Sequence, residues 1–190
     1  FQQFWQIPPR LGNYPADVGG DVIDALGYIE EHIGQWLEGD YRADNKRLEL
    51  NLARLMSGDG GALLKSVALQ AQSLGRATTM VDRRADADPV CPNGVSTRAA
   101  NITETVVSKY FAGDVQQWLA RLSLRQHQIM PVTARIEDHL SAVLPRGYQR
   151  WRSQRQALLE QLKSAPKRHV SAVKAALSQC PGLRWGSQPG

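Results

Sequence analysis

Cysteine is scarce in this 190-residue chain, with two in all, and there are four histidines. Neither cysteine sits in a C-x-x-C pair, and no histidine is spaced to complete a tetrahedral zinc site with them. Apolar runs are short: Ala62 to Leu64 and Val67 to Leu69 are among the longest, far below the roughly 20 residues that cross a bilayer. No transmembrane segment is expected. Sustained period-two alternation of β-branched residues is also missing, which argues against a sheet. G-x-S-x-G, H-E-x-x-H and dinucleotide fingerprints do not occur, so no catalytic residue, cofactor or metal follows from motif.

What is present suits a folded globular protein. Hydrophobic residues make up 42% and charged residues 22%, a balance that neither a disordered tail nor a membrane span would show. Charge is uneven: residues 1–97 carry 13 acidic and 9 basic side chains, residues 98–190 carry 5 and 14. An anionic partner would therefore be sought on the C-terminal half.

Cys91 and Cys180 are each followed by Pro. They are expected to form one disulfide, which in the chain-entropy picture of so long a loop contributes roughly 4 to 5 kcal/mol. Such a bridge implies an oxidising compartment, periplasmic or secreted. It would link the loop in mid-chain to the end of the last helix, and so favour one cooperative domain.

Residues 1–19 hold Pro8, Pro9 and Pro15 among the aromatics Phe1, Phe4, Trp5 and Tyr14, the composition of an extended arm. Large apolar rings on such a segment gain most when buried in a partner, so these four are candidate partner-binding residues. From Asp21 the pattern changes to Val22, Leu26, Ile29, Ile33 and Leu37, the one-sided stripe of an amphipathic helix that Gly39 stops. Further helices are expected at about Ala43 to Met56 and Ala62 to Arg84. Beyond the Asp86 to Gly94 loop the pattern predicts Thr97 to Phe111, Val115 to Gln128, Val132 to Leu144, Tyr148 to Ser164 and Lys167 to Gln179. Gly113, Pro131, Pro145 and Pro166 punctuate them. The expected fold is all-α: a helical bundle of antiparallel hairpins over residues 20–190 as a single domain, with the arm at 1–19.

One internal similarity stands out. Ile29-Glu30-Glu31-His32-Ile33 resembles Ile136-Glu137-Asp138-His139-Leu140, and the same offset pairs Leu52 with Leu159, a pattern a duplicated hairpin spanning 22–55 and 129–162 would leave. The adjacent acid and histidine of each segment point about 100° apart on a helix, unlike the Glu-x-x-His of di-metal bundles. They read as solvated helix residues.

Other motifs fail on spacing. Lys65-Ser66 follows a glycine-rich stretch, but a P-loop needs Gly before the Lys, and Leu64 stands there. Asp82, Asp86 and Asp88 lack the central Gly and closing Glu of a calcium loop.

The most basic stretch is 146–174, where Arg146, Arg150, Arg152, Arg155, Lys167 and Arg168 are candidate anion-binding residues, with Tyr148 and Trp151 between them. Arginines interleaved with aromatics suit phosphate contact and base stacking. They equally suit a solvated face whose stems cover apolar neighbours. Three functions are therefore in view. The leading one is a non-enzymatic helical interaction or binding protein of the bacterial envelope or a secretion assembly, with a protein partner. The second is a nucleic-acid-binding domain, or one that binds an anionic surface, using 146–174. The third is an enzyme assembled from dispersed residues, with Glu31, His32, Asp138 and His139 as its candidates.

Overall fold

The computed structural model describes residues 2–12, 14, 15, 21–42, 44–87 and 89–180, without the side chain of Gln161. Among them every regular element is helical and there is no strand, so the fold is all-α. A short 3₁₀ turn, Gln3–Trp5, precedes α1 (Asp21–Leu37), α2 (Asn45–Leu55) and α3 (Asp59–Ala87). A second 3₁₀ turn, Pro92–Gly94, leads to α4 (Arg98–Thr105), a π-helical stretch (Val106–Val115), α5 (Gln116–His139), α6 (Arg146–Lys163) and α7 (Ala165–Leu177).

Local chemistry sets many of these boundaries. Asp21 and Asp24 lie in the first turn of α1, where a carboxylate meets the positive end of the helix dipole. Asp44 and Thr97 cap α2 and α4, accepting from the backbone N–H of Arg47 and Ala100. Gly39 and Gly58 follow α1 and α2 with positive φ, which glycine adopts at little cost.

Two expected boundaries are absent. Residues 98–139 form one continuous helical run through Gly113 and Pro131. An interior proline costs about 3 kcal/mol. Burial of Leu122, Ile129, Val132 and Ile136 on either side of it offsets that. The π-helical turns run from Val106 to Val115, through Gly113, and bury Val107 and Phe111.

The chain divides into two compact units: residues 1–67 with 121–159, and residues 68–120 with 160–190. The first unit is centred on fully buried Phe4, Leu26, Leu63, Leu122, Ile129, Ile136 and Leu159. In the second, one cluster joins Val90, Cys91, Ala100, Val107, Val173, Leu177 and Cys180, and another joins Leu74, Phe111 and Ala165. Cys91 and Cys180 are disulfide-bonded, with Cα atoms 5.2 Å apart. Both belong to the second unit, so the bridge staples that unit while joining the mid-chain loop to the segment just after α7.

The N-terminal residues are built into the first unit. Phe4 and Trp5 are 1% and 6% exposed, and they lie against Gly60 and Gly61 at the start of α3. A Cβ on Gly60 would come within 2.5 Å of the Phe4 ring and 2.7 Å of Trp5, and one on Gly61 would collide with the Gln6 carbonyl. The glycine-rich stretch thus serves close approach of two backbones. Lys65 completes the join by donating from Nζ to the carbonyls of Pro8 and Pro9, each at 2.8 Å.

Candidate functional site

Helix α6 carries Tyr148, Trp151, Arg152 and Arg155 at spacings of three and four, which puts them on one face. Glu137 on α5 receives that face. It has no exposed surface, and it accepts from Nη1 and Nη2 of Arg155 at 2.7 and 2.8 Å. It also accepts from the Tyr148 hydroxyl at 2.6 Å and pairs with Nε of Arg152 at 2.8 Å. Arg152 reaches on to Asp138 at 2.7 Å. A buried carboxylate is tolerated when its oxygens are filled by charged and hydroxyl donors, as here. Burial pushes the Tyr148 phenol well above its ordinary range, and the bond to Glu137 adds to the rise.

The same network fixes three aromatic rings. The Arg155 guanidinium lies 4.4 Å from the centroid of Trp5 and 5.1 Å from that of Trp151, a cation–π arrangement strengthened by desolvation. Trp5 and Trp151 meet at 5.4 Å and 62°, Tyr148 and Trp151 at 5.3 Å and 50°. These rings form the floor of a cleft of about 870 Å³. Gln2, Gln3, Gln6, Leu144 and Pro145 complete its described lining. All of its described lining residues are uncharged.

A second buried cluster of the same composition lies elsewhere in the first unit. Asp59 at the start of α3 accepts from the Tyr14 hydroxyl at 2.6 Å and pairs with Arg125 of α5. Burial, then the Asp59 bond, raises the Tyr14 phenol far above its usual range. Both clusters combine a carboxylate, an arginine and a tyrosine, and both hold residues distant in sequence together.

The sequence-derived candidates separate clearly. Phe4 and Trp5 contribute their apolar area to this chain's own core and Tyr14 is held on Asp59, so these three are not a free docking arm; Phe1 lies outside the described residues. Of the candidate anion-binding residues, Arg152 and Arg155 are engaged by Glu137 and Asp138, which corrects their reading as a solvated face. Arg146 and Arg150 are exposed in the first unit, Lys167 and Arg168 in the second, and Arg168 donates to the Ser164 hydroxyl.

The four residues named as enzyme candidates lie on α1 and α5. His32 bonds through Nδ1 to the Tyr28 carbonyl at 2.8 Å and stacks on the Tyr28 ring. Glu31 and His139 are exposed, and Asp138 pairs with Arg152. Among the described residues no three His, Cys, Asp or Glu side chains are grouped as a metal site. No described helix is long and apolar enough to cross a membrane.

Sequence reasoning missed Glu137 as the organising residue. A signal was available: Glu137 falls on the stripe of Ile129, Val132, Thr133 and Ile136, the buried face of α5. An acid on such a stripe needs cationic partners, and α6 supplies them at helical spacing.

Fold and site together define an all-α protein with a ring-floored, uncharged cleft anchored on a buried ion-pair network. The chain belongs to the DUF3080 family, described as protein of unknown function, whose model matches residues 8–183. No curated protein and no solved structure matches it.

Proposed function

We propose that this chain is a non-enzymatic helical binding protein of the bacterial envelope, periplasmic or secreted, which takes a partner in the cleft floored by Trp5, Tyr148 and Trp151. One observation carries this reading: a concave, mostly apolar surface of ligand-site size whose rings are held rigid by Arg155 and Glu137. Rigid aromatic anchors lose little entropy on binding, which is what makes them effective in recognition. The extracytoplasmic assignment is supported by the Cys91–Cys180 disulfide, since such bonds persist in oxidising compartments. The nucleic-acid alternative is left with fewer cations than the sequence suggests, because Arg152 and Arg155 already have carboxylate partners.

A photo-crosslinking amino acid placed at Gln3 tests the binding role in cells. It should yield a discrete adduct, while the same group at Leu124, exposed but outside the cleft, should not. No adduct at Gln3, or equal adducts at both positions, would remove the reading.

A further inference from the structure

We infer that the cleft recognises an uncharged, proline-rich segment of extended polypeptide. This deepens the binding role proposed above and rests on it.

Charge narrows the ligand first. None of the described lining residues is ionisable near neutrality. The charges beneath them, Arg155 and Glu137, are bonded to each other and buried. A charged ligand group entering the cleft would lose water and find no counter-charge among these residues, a cost its other contacts would have to offset.

Hydrogen-bond polarity narrows it next. The Tyr148 hydroxyl is turned inward onto Glu137, so this residue offers a ligand ring surface and not its donor. Gln2, Gln3 and Gln6 are exposed and line the cleft, and each side-chain amide brings two N–H donors beside its carbonyl acceptor. Leu144 and Pro145 offer apolar side chains. The cleft therefore combines amide donors with a largely apolar and aromatic surface.

A proline-rich segment matches that combination. In the polyproline II conformation it makes no internal hydrogen bonds and presents carbonyl acceptors along its length, and each proline lacks the N–H that would need a partner. Its pyrrolidine rings pack on aromatic surfaces of this kind, and its preformed backbone limits the entropy lost on docking. Rings tilted by 50° and 62° around Trp151 form a ridged surface, not a flat platform. A neutral saccharide fits less well, because its hydroxyls are distributed around the ring. Those facing Leu144 and Pro145 would lose water without a partner, at a cost for each.

The test uses the full oxidised chain, isotope-labelled for observation of indole and side-chain amide protons by NMR. The probes are a capped oligoproline, its counterpart with alternate prolines replaced by alanine, and a neutral chito-oligosaccharide. The oligoproline should produce saturable shifts at the Trp151 indole and the Gln3 amide, with the alanine counterpart weaker. Gln3→Ala, at an exposed lining position, should weaken binding roughly three- to tenfold without changing the rest of the spectrum. Trp151→Ala should abolish it; should that variant fail to fold, Gln3→Ala paired with Gln6→Ala decides. Shifts from the saccharide with a silent oligoproline would overturn the ligand assignment while leaving the binding role intact. A silent oligoproline with the Gln3 adduct still formed in cells has the same meaning. Loss of both signals would remove the assignment and the binding role together.

Discussion

Arg155 of α6 sets both terminal nitrogens on the two carboxylate oxygens of Glu137, at 2.7 and 2.8 Å, in the interior of the first unit where both side chains are buried. Removing one partner of such a pair leaves an uncompensated buried charge. Glu137→Gln preserves shape and removes the charge, and should cost about 3–5 kcal/mol in urea unfolding followed by tryptophan fluorescence. Trp5 and Trp151 should report the loss directly, since both rings lie on the Arg155 guanidinium. A change below about 1 kcal/mol, the scale of a surface pair, would mean that the network does not hold the cleft floor.

Two glycines of α3 should respond in opposite directions to alanine. A Cβ at Gly61 collides with the Gln6 carbonyl, so Gly61→Ala should displace the N-terminal residues. It should destabilise the protein by about 1–3 kcal/mol or more and move tryptophan emission to the red as Trp5 becomes solvated. At Gly75 nothing lies within 4 Å, and Gly75→Ala should stabilise by up to about 1 kcal/mol through helix propensity. Equal effects of the two variants would contradict the packing of Phe4 and Trp5 on α3.

The disulfide should matter to the second unit, whose core holds both of its cysteines. Replacing Cys91 and Cys180 together by serine should cost about 2–5 kcal/mol, the range for native bridges in small domains. Thiol titration of the unfolded, unreduced protein should detect no free thiol, and two after reduction. Detection of thiols before reduction would refute the bond and weaken the extracytoplasmic assignment with it.

His169 gives the second unit a pH dependence of defined sign. It is buried against the Phe111 ring, with its Nδ1 3.2 Å from the Thr78 hydroxyl, and burial lowers its pKa. The unfolded chain then binds the proton more readily than the folded one. Stability is complete above the unfolded value of about 6.5 and declines as pH falls below it, until the folded histidine also protonates. Thermal unfolding at about pH 5 and pH 7.5 should show this loss, and His169→Gln should flatten it relative to the parent. An identical pH response in that variant would assign the effect to other groups.

Much of the secondary structure was legible in the residues because helical information is local. Apolar positions three and four apart mark α1, and Asp44 and Thr97 announce their helices by capping them. Local signals misled where a distant contact outweighed them. Pro131 reads as a terminator, yet buried neighbours on both sides carry the helix through it. Leu52 and Met56, four apart at the end of α2, have the spacing of a core stripe and yet are exposed. In the repeated motif Glu30 and Glu137 hold equivalent places. Glu30 pairs with Arg135 at the surface, which holds its carboxyl below the usual range, whereas Glu137 is fully enclosed.

The sequence by itself determined the all-α class, by periodicity and capping, and it named the only two cysteines able to pair. Only the tertiary structure decided what the charged and aromatic residues do. Helix periodicity depends on neighbours three and four residues away, and one helix suffices to express it. The protonic and ionic partners of a buried group are set by which helices come together, and 18 residues separate Glu137 from Arg155. Trp5 meets Trp151 from the opposite end of the first unit's chain. No local pattern encodes either meeting, and the cleft is made of both.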